Sequence, residues 1–213
     1  MEELTRKRAL ILIMLLMIAS LPLITVLSSF RIALFNRSFY KAEFEKNKVY
    51  DKIPEADSYL GELFLFFKGK EKLDIGIFSE NEKMHMNDVK ILVNNAIIFN
   101  YSLILVFVVL LLILVRLSEN TLKNLGFVFL FGGALTIILF LFFAMAPFTG
   151  LFTNFHLIFF QQGNWLFPAD SPIITLFPFG FFYDISLKIF INSLIASVAL
   201  IIAGILLSKA SKK

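Results

Sequence analysis

Four apolar segments restrict the fold of this chain more than any other feature. They lie within residues 1–30, 91–115, 125–147 and 185–208, and each is close to the roughly 20 residues that cross the hydrocarbon core of a bilayer as a helix. Hydrophobic side chains make up 58% of the chain, above the roughly 45–50% of soluble proteins. We therefore predict an all-α integral membrane protein with four transmembrane helices.

Basic residues at the ends of these segments predict the orientation. Lys and Arg occur in the amino-terminal tail, in the short turn 116–124 and in the tail 209–213, whereas residues 148–184 contain none. By the positive-inside rule, both termini and the turn are cytoplasmic, and the two long connections are extracytoplasmic. The basic amino end is also typical of a signal peptide, but no cleavage site is convincing, so we predict an uncleaved anchor. The net charge of +4 then lies at the membrane ends, which gives no basic face for a nucleic acid.

The first connection, residues 31–90, has the composition of a soluble protein and is predicted to form an α-helical cap. Pro54 is suited to the first turn of a helix that Gly69 ends. One face of this helix is apolar, and it packs either on neighbouring elements or on lipid; the face comprises Ala56, Leu60, Leu63, Phe64 and Phe67.

A second helix signal in the cap leads into the membrane. Ser79 followed by Glu82 is a capping box, and it predicts one long helix from there through the second span. At 1.5 Å per residue, His85 lies roughly 9 Å before the span that begins at Ile91. Asp88 follows on the same face and is expected to hold one of its ring nitrogens.

The second connection, residues 148–184, is nearly as apolar as a span but is broken by Pro and Gly. We predict an interfacial, re-entrant-like segment in which Thr153 caps a short helix and Ser171 with Pro172 begins another. Polar groups at lipid depth cost several kcal/mol unless they are satisfied. Such groups therefore need partners or a wet cavity, and they mark a candidate functional site; here they are Gln161, Gln162, Asn164 and Asp170.

The chain has two histidines and no cysteine, so thiol nucleophiles, disulfides and cysteine-bound metals are excluded. Both histidines fall on the predicted outer side. Imidazole suits proton transfer near neutral pH, although a purely hydrogen-bonding role stays open. With Asp88 and Asp170 they could supply metal ligands, but no short ligand spacing supports a metal site.

Known catalytic motifs do not resolve the function. The chain has no HExxH, GxSxG, phosphate-loop or GxGxxG pattern, and we predict no metal and no cofactor. Its spans contain no Asp, Glu or Arg, which argues against an ion pathway. A metal-dependent membrane lipid hydrolase and a non-enzymatic membrane binding protein remain as alternatives.

Two blocks resemble the bacterial lipoprotein intramolecular transacylases, a family of small four-span membrane proteins. The first is HMNDVK at 85–90, and the second is FHLIFF at 155–160 with GNW at 163–165, Asp170 and LFP at 176–178. The likeness extends over the whole chain in span number and in loop lengths. Residues 31–78 match only in general character.

The resemblance implies an acyltransferase of the bacterial cell membrane whose partners are a diacylated lipoprotein and membrane lipid. The family moves an acyl chain from the glycerol sn-2 position of a modified amino-terminal cysteine to its α-amine, which gives a lyso-form lipoprotein. By position, His85 and His156 are the implied catalytic residues, at the extracytoplasmic face. No nucleic acid is expected, and the oligomeric state stays open.

We assign roles to these residues as hypotheses. His156 is expected to lie deeper among apolar residues, which favours its neutral form, and it is assigned as the base. His85, with Asp88, is the charge-stabilising or hydrogen-bonding partner. The residues assigned to substrate binding are Asp88, Asn154, Gln161, Asn164, Trp165 and Asp170.

Overall fold

A computed structural model describes residues 2–211, and within that range the chain forms eight α-helices and no strand. The helices are α1 (Glu2–Leu34), α2 (Arg37–Lys46), α3 (Ala56–Phe67), α4 (Glu80–Leu117), α5 (Thr121–Ala144), α6 (Phe148–Phe159), α7 (Pro172–Leu176) and α8 (Phe179–Ala210). The all-α prediction is confirmed.

Four of the described helices are long and apolar enough to cross a membrane, namely α1, α4, α5 and α8. At 1.5 Å per residue the 38 residues of α4 extend about 57 Å, well beyond a hydrocarbon core about 30 Å thick. Helix α4 is therefore a span together with an extension outside it. This confirms the prediction of one continuous helix from the capping box into the second span.

The chain divides into two compact units, of which the first comprises residues 1–30, 98–145 and 189–213. Glycines allow its helices to pack closely. A Cβ atom on Gly133 would lie 2.7 Å from the backbone oxygen of Ser197, and one on Gly132 would overlap the side chain of Leu21. A buried amide is also satisfied here, because Asn100 Nδ2 donates to Ser28 Oγ at 3.2 Å.

The second unit comprises residues 31–97 and 146–188 and has an aromatic core. Edge-to-face and tilted ring pairs, a favourable geometry for aromatic contacts, join α2, α3 and the segment from 177 to 181. The core includes Tyr40, Phe44, Leu60, Leu63, Phe66, Phe67, Leu176, Phe177 and Phe181. The apolar face of α3 thus packs on neighbouring elements, and Lys46 pairs with Asp184 at the edge of the core.

Two predicted helix starts differ from the structure. Helix α3 begins at Ala56 with Glu55 as its N-cap, so Pro54 lies in the preceding turn. Helix α6 begins at Phe148 after Pro147, so Thr153 is an exposed residue within the helix and not its cap. Proline fixes φ near −65° and lacks an N–H, and a helix can start directly after it. Ser171 and Pro172 begin α7 as predicted, although the Ser171 side chain makes no capping bond.

Candidate functional site

A capping box positions the part of α4 that carries His85. Glu82 Oε2 accepts hydrogen bonds from the Ser79 backbone N–H at 2.7 Å and from the Ser79 hydroxyl at 2.8 Å. The other carboxylate oxygen, Oε1, accepts from the backbone N–H of Ile173 at 2.8 Å. The carboxylate is 2% exposed, so one buried side chain holds the start of α4 against the start of α7.

The two histidines come together in the second unit. The ring centroids of His85 and His156 are 6.4 Å apart, and the ring planes differ by 20°. Both are buried, with 7% and 8% exposure. Phe160 contacts both rings, at 4.7 Å from His85 and 5.5 Å from His156. The separation is too large for a direct hydrogen bond between the rings, but one small group lying between them can contact both.

His156 lies in an aromatic enclosure, and its backbone contact selects a tautomer. The rings of Phe152 and Trp165 have centroids 4.2 Å and 4.8 Å from that of His156. Its Nδ1 lies 2.7 Å from the carbonyl oxygen of Phe152. A carbonyl only accepts, so Nδ1 carries the proton and Nε2 of the neutral ring keeps its lone pair. His156 therefore keeps Nε2 as its unprotonated, basic nitrogen.

Burial keeps both imidazoles neutral at pH 7. The pKa of His85 is lowered to about 4, mainly by burial and also by the neighbouring His156, while Asp88 and Asn164 act in the opposite direction. Burial also lowers the pKa of His156, against the hydrogen bond to Phe152. The expectation that His156 lies deeper than His85 is wrong, because the two are equally buried. What distinguishes them is the hydrogen bond of His156.

The carboxylate of Asp88 joins α4 to the loop after α6. Its Oδ2 accepts from Gln162 Nε2 at 2.6 Å and from Asn164 Nδ2 at 2.7 Å. The predicted contact with a ring nitrogen of His85 is not formed, and His85 Nδ1 is buried without a hydrogen-bond partner in the described part of the chain. Asp88 thus fixes the loop that carries Trp165.

Three of the residues assigned to substrate binding are at the surface and are not buried with the histidines. Asn154, Gln161 and Asp170 are exposed, and the amide of Gln161 donates at 3.4 Å to the carbonyl oxygen of Ile158. Asn154 is two residues from His156 on α6, about 200° around the helix. Asp88, Asn164 and Trp165 are at the site.

Sequence reasoning assigned no role in the site to three further residues, Glu82, Phe160 and Gln162. Glu82 was identified only as a helix cap, and its second contact lies 91 residues away. Gln162 was recognised only as a polar group in need of a partner. Among residues 2–211 no group of three or more His, Asp or Glu side chains is arranged to hold a metal ion.

The fold defines a four-span α-helical membrane protein, and its site is a buried pair of adjacent imidazoles. The family model for the lipoprotein intramolecular transacylase Lit matches residues 15–182. The chain therefore belongs to the Lit family, and it is an acyltransferase, a lipoprotein intramolecular transacylase. No curated protein sequence matches it.

Solved structures share the fold. The membrane-integral lipoprotein intramolecular transacylase Lit from Bacillus cereus has a TM-score of 0.78 at 18% identity, over 97% of this chain and 99% of that chain. A variant of that protein with a histidine-to-alanine mutation has a TM-score of 0.83 at 20% identity, over 100% of this chain and 99% of that chain. A variant of the same protein with a histidine-to-arginine mutation has a TM-score of 0.81 at 19% identity, over 99% of this chain and 97% of that chain.

Proposed function

We propose that the protein moves the sn-2 acyl chain of a diacylglyceryl-modified amino-terminal cysteine of a lipoprotein onto the α-amine of that cysteine, at the extracytoplasmic face. The observation that carries this proposal is the pair of buried, nearly parallel imidazoles 6.4 Å apart. Membership of the transacylase family supports the reaction class.

The reaction joins two groups that the substrate already holds on one short chain. The nitrogen, two cysteine carbons, sulfur, two glycerol carbons, the ester oxygen and the carbonyl carbon would close a ring of about eight atoms at attack. Holding such a chain in a reactive conformation supplies a large part of the rate enhancement, because the entropy of closure is lost on binding. The aromatic enclosure around His156 is suited to exclude water and so to prevent hydrolysis of the ester.

His156 carries the proton from the amine to the glycerol oxygen. The amine attacks the ester carbonyl carbon, and Nε2 of His156 takes the proton that the nitrogen loses. The α-amine has a pKa of about 7.7–8.0, so roughly a tenth of it is already the free amine at pH 7, and His156 has to accept only the proton that is released on attack. The tetrahedral intermediate then collapses, the carbon–oxygen bond to glycerol breaks, and His156 returns the proton to the glycerol oxygen. The products are an amide and a free hydroxyl.

His85 acts as a neutral hydrogen-bond donor to the developing oxyanion. With a pKa of about 4 it is uncharged at pH 7, which favours the hydrogen-bonding form of the partner role over an imidazolium. Its unpartnered Nδ1 supports this assignment, since a buried polar atom without a partner costs about 1–3 kcal/mol until something pairs with it. Preorganised donors of this kind lower the barrier most when water is excluded.

A synthetic lipopeptide with acyl chains of two different masses tests the reaction. Tandem mass spectrometry should find the sn-2 chain on the cysteine nitrogen and the sn-1 chain still on glycerol. The His156→Ala and His85→Ala variants should each lose about 10²-fold or more of the conversion rate. Asn87→Ala is the matched control, because Asn87 is an exposed residue of the same helix whose amide binds the carbonyl of Lys83. Undiminished conversion by either histidine variant would refute that histidine's role, and transfer of the sn-1 chain would refute the regiochemistry.

A further inference from the structure

A cavity of about 450 Å³ lies in the second unit beside the histidine pair. It is contiguous with the site through two of its lining residues. Phe167 lines it, and the Phe167 ring centroid is 5.6 Å from that of His85. Asn164 lines it and also donates to Asp88. The volume falls within the roughly 300–1,000 Å³ of ligand pockets in proteins.

The lining mixes polar and apolar side chains and contains no basic one. Five side chains in it carry hydroxyl or carboxamide groups, namely Ser79, Asn81, Gln162, Asn164 and Ser171. Such groups both donate and accept hydrogen bonds, as successive peptide units require. A phosphate would need cations or several converging donors. Neutral hydrogen-bonding groups beside apolar side chains, here Leu166, Phe167, Pro168 and Pro172, instead fit a neutral peptide backbone with its side chains.

Two buried atoms in this lining have no partner. They are Asn164 Oδ1 and Ser171 Oγ. Buried polar atoms are almost always hydrogen-bonded in folded proteins. The Asn164 side chain already interacts with His85, so the Ser171 hydroxyl is the group that a ligand in this cavity would pair with. Asn164 Oδ1 can only accept a hydrogen bond, whereas the Ser171 hydroxyl can both donate and accept one.

We propose that this cavity binds the first peptide units of the lipoprotein, the backbone that follows the acylated cysteine. The inference rests on the proposed function, because in that reaction the attacking nitrogen and the first carbonyl carbon share one Cα atom. Consecutive Cα atoms are about 3.8 Å apart, so the next two or three residues lie within about 10 Å of the reacting nitrogen. The hydroxyl and carboxamide groups of a cavity next to the histidines can pair with the peptide groups of these residues.

Substrates that differ only in peptide length test this. The full chain in lipid is given the same diacylglyceryl group on cysteine amide, and on cysteine followed by one, two or four uncharged residues. We expect the KM to fall about tenfold from the amide to the longest peptide, as two or more hydrogen bonds would produce. The kcat should change less than the KM.

Two variants test whether the dependence of KM on peptide length arises in this cavity. Asn81→Trp narrows the cavity at its exposed edge, and Ser171→Ala removes a hydroxyl that makes no hydrogen bond. Each should reduce the tenfold ratio of KM values to about twofold or threefold, whereas Asn87→Ala should keep it. Melting temperatures near that of the wild type confirm that the variants fold.

Several outcomes would overturn the assignment. One is a wild-type KM that does not depend on peptide length, and another is a ratio that survives in both cavity variants. A KM raised equally for every substrate, the amide included, would place the glyceryl group in the cavity instead. If the proposed function itself were wrong, the wild type would convert none of the lipopeptides, which distinguishes that result from the outcomes above.

Discussion

The carboxylate of Glu82 accepts a hydrogen bond from the backbone N–H of Ile173 at 2.8 Å, across 91 residues of sequence. Ile173 follows Pro172, the first residue of α7, and proline has no N–H. The Ile173 N–H is therefore the first free donor of α7. Glu82 satisfies it together with the start of α4, one turn before His85.

Replacement of Glu82 should cost stability. Glu82→Ala leaves the backbone N–H groups of Ser79 and of the buried Ile173 without their acceptor, and we expect a loss of about 1–3 kcal/mol. Glu82→Gln keeps one carbonyl oxygen and should lose roughly half as much. Thermal unfolding in detergent measures both, with Glu80→Ala as control, an exposed residue of the same turn that should change stability by less than about 0.5 kcal/mol. A Glu82→Ala protein as stable as the control would contradict this interpretation.

Loss of the Asp88 carboxylate should slow conversion without abolishing it. Asp88→Ala leaves the amides of Gln162 and Asn164 without their shared acceptor, so the loop that holds Trp165 against His156 loosens. We expect conversion of a diacylated lipopeptide to fall about tenfold, since small misplacements at a reacting centre have effects of this size or larger. Asp88→Asn retains an acceptor oxygen and should recover part of the rate. A rate unchanged in Asp88→Ala would show that the loop holds its position without this contact.

Stability should decrease in acid because of His85. Its pKa is about 4 in the folded protein and about 6.5 when unfolded. Between these values the unfolded chain binds a proton that the folded protein does not, so the His85 contribution is present above pH 6.5 and is lost as the pH falls towards 4. Melting temperatures from pH 7.5 to 4 should fall more steeply for the wild type than for His85→Phe, which removes the titrating group but keeps a ring. Parallel curves would contradict the assignment.

The predicted orientation has a direct test, because the chain contains no cysteine. A single Asp51→Cys in the segment 31–90 should react with a membrane-impermeant maleimide in intact cells. A single Glu119→Cys in the turn between α4 and α5 should react only after permeabilisation. Both positions are exposed, so accessibility within the protein does not limit labelling. The reverse pattern would place the histidine site on the cytoplasmic side.

Local patterns predicted the helices well. A span depends on an uninterrupted apolar run of sufficient length, and a capping box depends on two residues three positions apart, so both can be recognised within a short stretch of chain. The predictions that Pro54 lies in the first turn of a helix and that Thr153 caps one were wrong. Proline and hydroxyl residues each occur at more than one position near a helix start, so the residue type alone does not define where the helix begins. The histidine pair was anticipated from the predicted side of the membrane and from the family resemblance.

Partners within the site could not be predicted in the same way. Asp88 has His85 as a near neighbour on its helix, but it binds Gln162 and Asn164, 74 and 76 residues away. Asn154 has the right polarity and lies close to His156 in sequence, yet it is exposed. Hydrogen bonds over such separations depend on how the elements pack, and this is not encoded in any short segment.

The sequence by itself determined a four-span helical protein with two imidazoles and no thiol, because bilayer thickness and side-chain chemistry act on composition and on local spacing. Tertiary structure alone decided the environment of those imidazoles. It brought the rings within 6.4 Å, gave Nδ1 of His156 a backbone acceptor and left Nδ1 of His85 unpaired. These features set the proton positions and pKa values of the two histidines, since both depend on burial and on hydrogen-bond partners from distant parts of the chain.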